Sequence, residues 1–184
     1  MLWLIRHGET EWSLSGQHTG MTDIPLTDAG EEKARGIPEK LAGIKFAMVL
    51  TSPLLRARRT CELAGLGDQA QMEPDLVEWN YGDYEGRRTI DIRQDRPGWY
   101  LFRDGAPGGE TAEQVGERAH RVIKRALTAG GDVALFGHGH ILRVLAACWL
   151  DLPPEDGKHL VLGTAGMAML GFEHGTRVIE RWNC

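Results

Sequence analysis

Leu2-Trp3-Leu4-Ile5-Arg6-His7-Gly8-Glu9-Thr10 is the stretch on which the reading of this chain turns. Four apolar residues in succession, too few for an ordinary helix, predict a short buried strand, and that strand runs straight into a cation, an imidazole and a glycine. The same arrangement recurs twice. Residues 46–50 predict a second strand, followed by Ser52-Pro53, where serine as N-cap and proline at the first helical position open a helix through about Ala64. Residues 132–136 predict a third, which ends at Gly137-His138-Gly139 before a helical spacing over 141–150. Around these, Thr27 caps a helix from Asp28 that Pro38 kinks or splits. Residues 111–127 predict a long amphipathic helix with Val115, Ala119, Val122, Ile123 and Ala126 on its apolar side. Residues 167–172 and 177–182 predict a closing hairpin about His174-Gly175. Strands alternating with helices make an α/β protein with a mostly parallel sheet.

In such a sheet, ligands bind just beyond the carboxyl ends of the strands. Three of those ends lead to groups that are or can become positive: Arg6 and His7 after the first, Arg56 after the second, His138 after the third. The chain as a whole is acidic, with 26 Asp and Glu against 21 Lys and Arg, which argues against general nucleic-acid binding. Cations gathered at one rim of an acidic protein predict a compact anionic ligand. Phosphate suits them best, because a guanidinium fork matches its oxygens and is never deprotonated.

The chain has 184 residues, enough for one domain, and area scaling predicts a folded surface of roughly 8,800 Å² with about 70% of the extended chain's surface buried. A composition 42% apolar and 26% charged excludes disordered, collagen-like and coiled-coil classes. The N-terminal apolar run is far too short for a signal-peptide core or a membrane span, so the expected address is the cytoplasm, with no membrane partner. Cys61, Cys148 and Cys184 are an odd number at wide spacing and fit neither a disulfide framework nor a metal site; the first two read as apolar filler on helices.

Arg6-His7-Gly8-Glu9-Thr10, with Trp12 beyond it, resembles the signature of the histidine phosphatase superfamily in its phosphoglycerate mutase-like branch. Further blocks in matching order are Pro25-Leu26-Thr27 with Gly30, Ser52-Pro53-Leu54-Leu55-Arg56-Ala57, Glu78 before Tyr81-Gly82-Asp83-Tyr84-Glu85-Gly86, Gly108-Gly109-Glu110-Thr111 and Gly137-His138-Gly139. The resemblance covers residues 2 to about 172. It implies a single domain over 1–184, a three-layer α/β/α sandwich with a mostly parallel central sheet, and a phosphohistidine mechanism.

The residue chemistry supports that mechanism independently. Neutral imidazole is a competent nucleophile near pH 7, and flanking charge from Arg6 and Arg56 disfavours imidazolium at His7. His7 is therefore expected to attack phosphorus in line, while Arg6, Arg56 and a protonated or donating His138 hold the equatorial oxygens. Glu78 is the expected acid for the leaving oxygen and base for the attacking water, in competition with Glu73, Asp75, Asp83 and Glu85; its offset from Tyr81-Gly82 follows the family pattern. A nearby phosphate dianion favours the proton on such a carboxyl by like-charge repulsion. Arg58 and Arg59 read as a solvated helix face. No cofactor and no metal are expected, because the arginines supply the charge.

On the substrate side, the resemblance implies contacts from Ser13, Thr19, Gly20, Tyr81 and Gly139, with an ordinary surface turn or a core tyrosine as the alternative for Thr19, Gly20 and Tyr81. Ser13 departs from the asparagine of most relatives. Glu110-Thr111 reads equally as a helix cap. Trp99, Tyr100, Phe102 and Arg103 read either as a substrate lid or as a packed flap, and Arg103 and His18 as candidates for a second phosphate. The segment from Gly86 to Gly108 is short and holds five arginines but no lysine-rich insert, which favours hydrolysis over mutase chemistry. Details around Glu11-Trp12-Ser13 and Trp79-Asn80-Tyr81 resemble small acid phosphatases and sedoheptulose-bisphosphatase-like members. The expected partner is thus a small phosphorylated substrate, with a homodimer left open. Phosphoglycerate mutase, protein phosphatase and non-enzymatic binding module remain as alternatives.

Overall fold

Side chains alternate across the central strands, and each face of the sheet meets its own set of helices. In the computed structural model, which describes residues 1–184, six strands lie in the order β3-β2-β4-β1-β5-β6. These are β1 (Leu2–Arg6), β2 (Phe46–Thr51), β3 (Ala70–Met72), β4 (Asp132–Gly137), β5 (Met167–Glu173) and β6 (Thr176–Trp182). The pairs β1/β4, β2/β4 and β2/β3 are parallel, and the β5–β6 hairpin closes one edge antiparallel to β1. His174 and Gly175, at φ 50° and 84°, make its tight turn, where only a small or permissive residue adopts left-handed backbone cheaply.

Eight helices complete the chain: α1 (Glu11–Ser15), α2 (Asp28–Arg35), α3 (Ile37–Lys40), α4 (Leu55–Leu63), α5 (Thr89–Asp95), α6 (Leu101–Asp104), α7 (Ala112–Leu127) and α8 (Gly139–Trp149). Leu2, Leu4, Leu50, Val133 and Leu135 face α7 and α8. Trp3, Ile5, Val49, Ala134 and Phe136 face Ala34, Ile37 and Cys61 of α2, α3 and α4. This period-two division is the expected three-layer α/β/α sandwich. The folded surface is 8556 Å², close to the value scaled from chain mass. Cys61 and Cys148 are buried filler, and burial pushes their thiols up to about 12 and about 11. No helix is long and apolar enough to cross a membrane.

One local expectation is corrected. Ser52 does not cap α4, which starts three residues later at Leu55; the Leu55 amide instead donates to the Asp23 carboxylate at 2.7 Å, from a distant loop. The Ser52 hydroxyl is drawn to His138, 2.7 Å away. The other expected breaks hold: Thr27 accepts from Gly30 N–H at the start of α2, and Pro38 lies in the first turn of α3, splitting the helix after Arg35. Strand β3, a short and half-exposed edge, had no sequence signal.

Adjacent strands β1 and β4 feed opposite faces. After β1 the chain goes to α2 and α3; after β4 it goes to α8. That divergence opens a crevice beyond their carboxyl ends, and there the Arg6-His7 and His138 turns meet.

Candidate active site

His7 follows β1 with its backbone held on both sides, N–H donating to Gly137 carbonyl at 3.0 Å and carbonyl accepting from Ala165 N–H at 3.0 Å. Its Nδ1 lies 2.6 Å from the Gly8 carbonyl. A carbonyl only accepts, so Nδ1 carries the proton and the Nε2 lone pair is left free. Burial first, then Arg6 and Arg56, holds this imidazole well below its ordinary range, so it stays neutral. Thr60 Oγ1 accepts from Gly8 N–H at 2.9 Å and donates to the Arg56 carbonyl at 2.7 Å, which locks the turn to α4.

A cleft of about 130 Å³ opens over His7, lined by Arg6, Ser13, His18, Thr19, Glu78, Tyr81, Gly139, His140 and Arg143 among others. Arg6 donates to the Leu162 carbonyl at 2.6 Å through Nη1, and its Nη2 has no partner in the protein, which places positive charge and spare donors in the cleft wall. Glu78 sits at the N-terminus of α8. Its carboxylate accepts backbone N–H from Trp79 at 2.9 Å, His140 at 3.0 Å and Ile141 at 3.0 Å, so the helix's unpaired donors fix its position.

Arg56 and His138 are 0% exposed and stand behind His7, whose ring centroid is 5.2 Å from that of His138. Arg56 Nε donates to His138 Nδ1 at 3.1 Å, so the His138 proton lies on Nε2 and is given to Ser52. His138 is thus a neutral donor rather than a protonated one: burial, then Arg56 and His7, holds it well below its ordinary range. The rest of the Arg56 fork donates to the carbonyls of Thr22, Thr19 and Gly20, leaving one Nη1–H uncommitted.

The substrate-side expectations divide. Thr19, Tyr81, Ser13 and Gly139 line the cleft. The Ser13 hydroxyl, however, donates to the Thr10 carbonyl and accepts from Thr10 N–H, capping α1. Gly20 does not line the cleft; a Cβ there would fall 2.5 Å from Glu85 Oε2 and 2.7 Å from the Trp79 carbonyl, so glycine serves a close approach of backbone. Trp99 and Phe102 are buried in the core, a packed flap and not a lid. Arg103 is 67% exposed, pairs with Asp104 and does not reach the cleft, whereas His18 does. Thr111 caps α7 in a capping box; Glu110 instead grips Asn80 N–H and Arg118.

Sequence reasoning missed His140, Arg143 and Arg118. The first two lie in a helix that reads as apolar; Arg143, the single charge between Ile141 and Leu150, was the available signal. Arg118 donates to Glu110 and to the carbonyls of Asp75 and Val77, fastening the segment before Glu78 onto α7.

Residues 2–184 match the histidine phosphatase superfamily (branch 1). The chain belongs to that family. This histidine phosphatase is 39% identical over 180 residues to an acid phosphatase of Mycobacterium tuberculosis, spanning 96% of this chain and 88% of that one. It is also 39% identical over 182 residues to the sedoheptulose 1,7-bisphosphatase of Saccharomyces cerevisiae, spanning 81% and 67% respectively. A solved Mycobacterium tuberculosis structure, that of a functionally characterised open reading frame, superposes with TM-score 0.94 at 38% identity, covering 99% of this chain and 96% of that one. Family and relatives together make the chain a phosphatase.

Proposed function

We propose that this histidine phosphatase hydrolyses small phosphorylated metabolites through a phosphohistidine on His7 Nε2. The observation that carries the reading is the His7 tautomer: Nδ1–H is committed to a carbonyl, and the Nε2 lone pair is left free in a cleft that Arg6 and Glu78 also line.

In the first step Nε2 bonds to phosphorus as the ester P–O bond breaks, and the leaving oxygen takes a proton from Glu78. Charge spread over the equatorial oxygens meets Arg6 at the wall and the free Arg56 N–H at the floor. His138, whose Nδ1 accepts from Arg56 and whose Nε2–H goes to Ser52, holds that guanidinium in place and, contrary to expectation, has no donor left for the phosphate. In the second step Glu78 removes a proton from water, whose oxygen displaces Nε2 and releases inorganic phosphate. The Nδ1–H bond to Gly8 stabilises the positive charge that the imidazole carries while phosphorylated. Thr19, Gly139 and Tyr81 would face the rest of the substrate; Ser13 and Gly20 shape the loop that carries Thr19.

Hydrolysis is preferred to mutase chemistry because the arginines of 86–108 are committed elsewhere. Arg87 pairs with Asp95, Arg88 with Asp91, Arg103 with Asp104, Arg96 faces Asp104 at 4.0 Å, and Arg93 donates to the Trp99 carbonyl. None of them lines the cleft, so none grips a second phosphate of a bisphosphoglycerate. Two relatives at 39% identity, an acid phosphatase and a sedoheptulose 1,7-bisphosphatase, support the same side, against more distant relatives at 27–29% named as probable phosphoglycerate mutases. Metal-free operation belongs to this reading because Arg6 and Arg56 supply the positive charge that a metal ion would otherwise bring, and the cytoplasm is the proposed address.

The test is a kinetic panel of sugar phosphates, phosphoglycerates and phosphopeptides. Inorganic phosphate should be released from the small esters with the highest kcat/KM among sugar esters. Isomerisation of phosphoglycerate without phosphate release, or preference for phosphopeptides, contradicts the proposal.

A further inference from the structure

His140, the second residue of α8, is the cleft residue with the most unexplained chemistry. Its ring is enclosed by Phe102, Tyr81, Trp79 and His18 at centroid distances of 5.4 to 6.2 Å. Its backbone N–H holds Glu78 Oε2, and its Nδ1 lies 2.6 Å from the Tyr81 hydroxyl.

The direction of that last bond follows from what else is near. Burial, reinforced by Glu78, pushes the Tyr81 phenol well above its ordinary range, so it keeps its proton. The hydroxyl has no other acceptor in the protein, so pointing its proton at His140 Nδ1 satisfies it, while Glu78 Oε2 stands 3.8 Å from the same nitrogen, beyond hydrogen-bond reach. Burial and the neighbouring Arg143 hold the imidazole neutral, well below its ordinary range. A neutral imidazole that accepts at Nδ1 carries its proton at Nε2. That Nε2 bonds nothing in the protein, yet the side chain is 22% exposed and lines the cleft. Arg143, one turn along, gives its Nε and one Nη2–H to the carbonyls of Gly157 and Lys158, and its remaining N–H groups are charged donors in the same cleft, distinct from the neutral donor of His140.

We propose that His140 is a specificity-determining residue whose Nε2–H, fixed in that tautomer by Tyr81, takes a hydroxyl oxygen of the leaving group, selecting polyol phosphates over plain alkyl phosphates. The inference rests on the reading of Glu78 as the acid: because the His140 backbone holds that carboxyl, the ring stands beside the place where the leaving oxygen departs. A neutral donor matches a neutral hydroxyl without the cost of burying another charge. Tyr81 then acts through His140 as a positioning residue, which revises its expected role as a direct substrate contact.

The test compares glycerol 1-phosphate with propyl phosphate, esters of equal chain length that differ in their hydroxyls, using the full chain. The wild type should prefer the glycerol ester. His140→Leu should cut that preference in kcat/KM about tenfold, mostly through KM, the scale of one lost hydrogen bond that leaves a buried partner unmet. His140→Gln, which keeps an N–H donor, should restore part of it. Nitrogen-15 NMR of labelled histidine should show His140 protonated at Nε2 and bare at Nδ1 in the wild type, and a mixture of tautomers in Tyr81→Phe. No preference in the wild type, equal losses on both esters in His140→Leu, or a protonated Nδ1 overturns the inference. Trapping of phosphate on wild-type His7 separates the two levels: with phosphoenzyme present, those results remove the role of His140 alone, and with none formed the underlying reading fails too.

Discussion

Glu78 and His7 divide the chemistry between them by virtue of their hydrogen-bond partners. His7 has its proton tied to Gly8 and its lone pair free; Glu78 has both oxygens oriented by the first N–H groups of α8 and by Trp79. If Glu78 protonates the leaving oxygen, Glu78→Gln should cost ~10²–10⁴-fold on a sugar phosphate, the span of general acid catalysis. An aryl ester such as p-nitrophenyl phosphate leaves as a stabilised anion, so its first step should suffer much less. Water attack still lacks a base, and the aryl substrate should therefore give a burst of nitrophenol and then slow turnover. Equal losses on both esters with no burst move the acid role to another carboxyl, Asp83 or Glu85. At this scale the sequence was legible where a residue type is scarce and its neighbours unusual, as in Arg6-His7-Gly8. It was silent where contacts are long-range. Nothing local says that Arg56 donates to His138 across 82 positions, or that the Leu55 amide finds Asp23 across 32.

Among the elements, the segment carrying Glu78 is irregular and depends on α7 for its position. Arg118 takes the carbonyls of Asp75 and Val77 and pairs with Glu110, whose other oxygen holds Asn80 N–H. Arg118→Ala strands those acceptors and frees the segment. It should lower stability by about 1–3 kcal/mol, the cost of leaving part-buried polar groups unmet, and reduce kcat on a sugar ester more than KM. A shift in the urea midpoint read by circular dichroism, together with the kinetics, checks this; an unchanged midpoint with unchanged kcat rejects the positioning role. Periodicity read α2, α4, α7, α8 and the central strands, because these are amphipathic or wholly apolar over their length, and gave no sign of the short α1, α5 and α6. It missed β3, whose three half-exposed residues have no pattern to show, and it misplaced the start of α4, where capping comes from Asp23 and not from the local Ser52.

In the molecule as a whole, four imidazoles, His7 and His138 buried and His18 and His140 half-buried, are held neutral around the crevice, with His18 lowered to about 4, chiefly by burial, and the others held well below their ordinary range. Unfolded, each titrates near 6.5. Below that value the unfolded chain binds protons that the folded chain refuses, so stability present above pH 6.5 is lost as pH falls towards about 4. Urea midpoints measured from pH 7 down to 5, above the range where most carboxylates titrate, should fall steadily. Midpoints that stay level or rise across that window contradict the burial of neutral imidazoles.

The most direct measurement is of the covalent step on which the proposed function depends. Incubation with a radiolabelled phosphomonoester, followed by rapid denaturation and peptide mapping, should place phosphate on His7, in a bond that is labile in acid and survives alkali. His7→Ala should lose both label and turnover. Label that maps to another residue, or that persists in His7→Ala, contradicts the account.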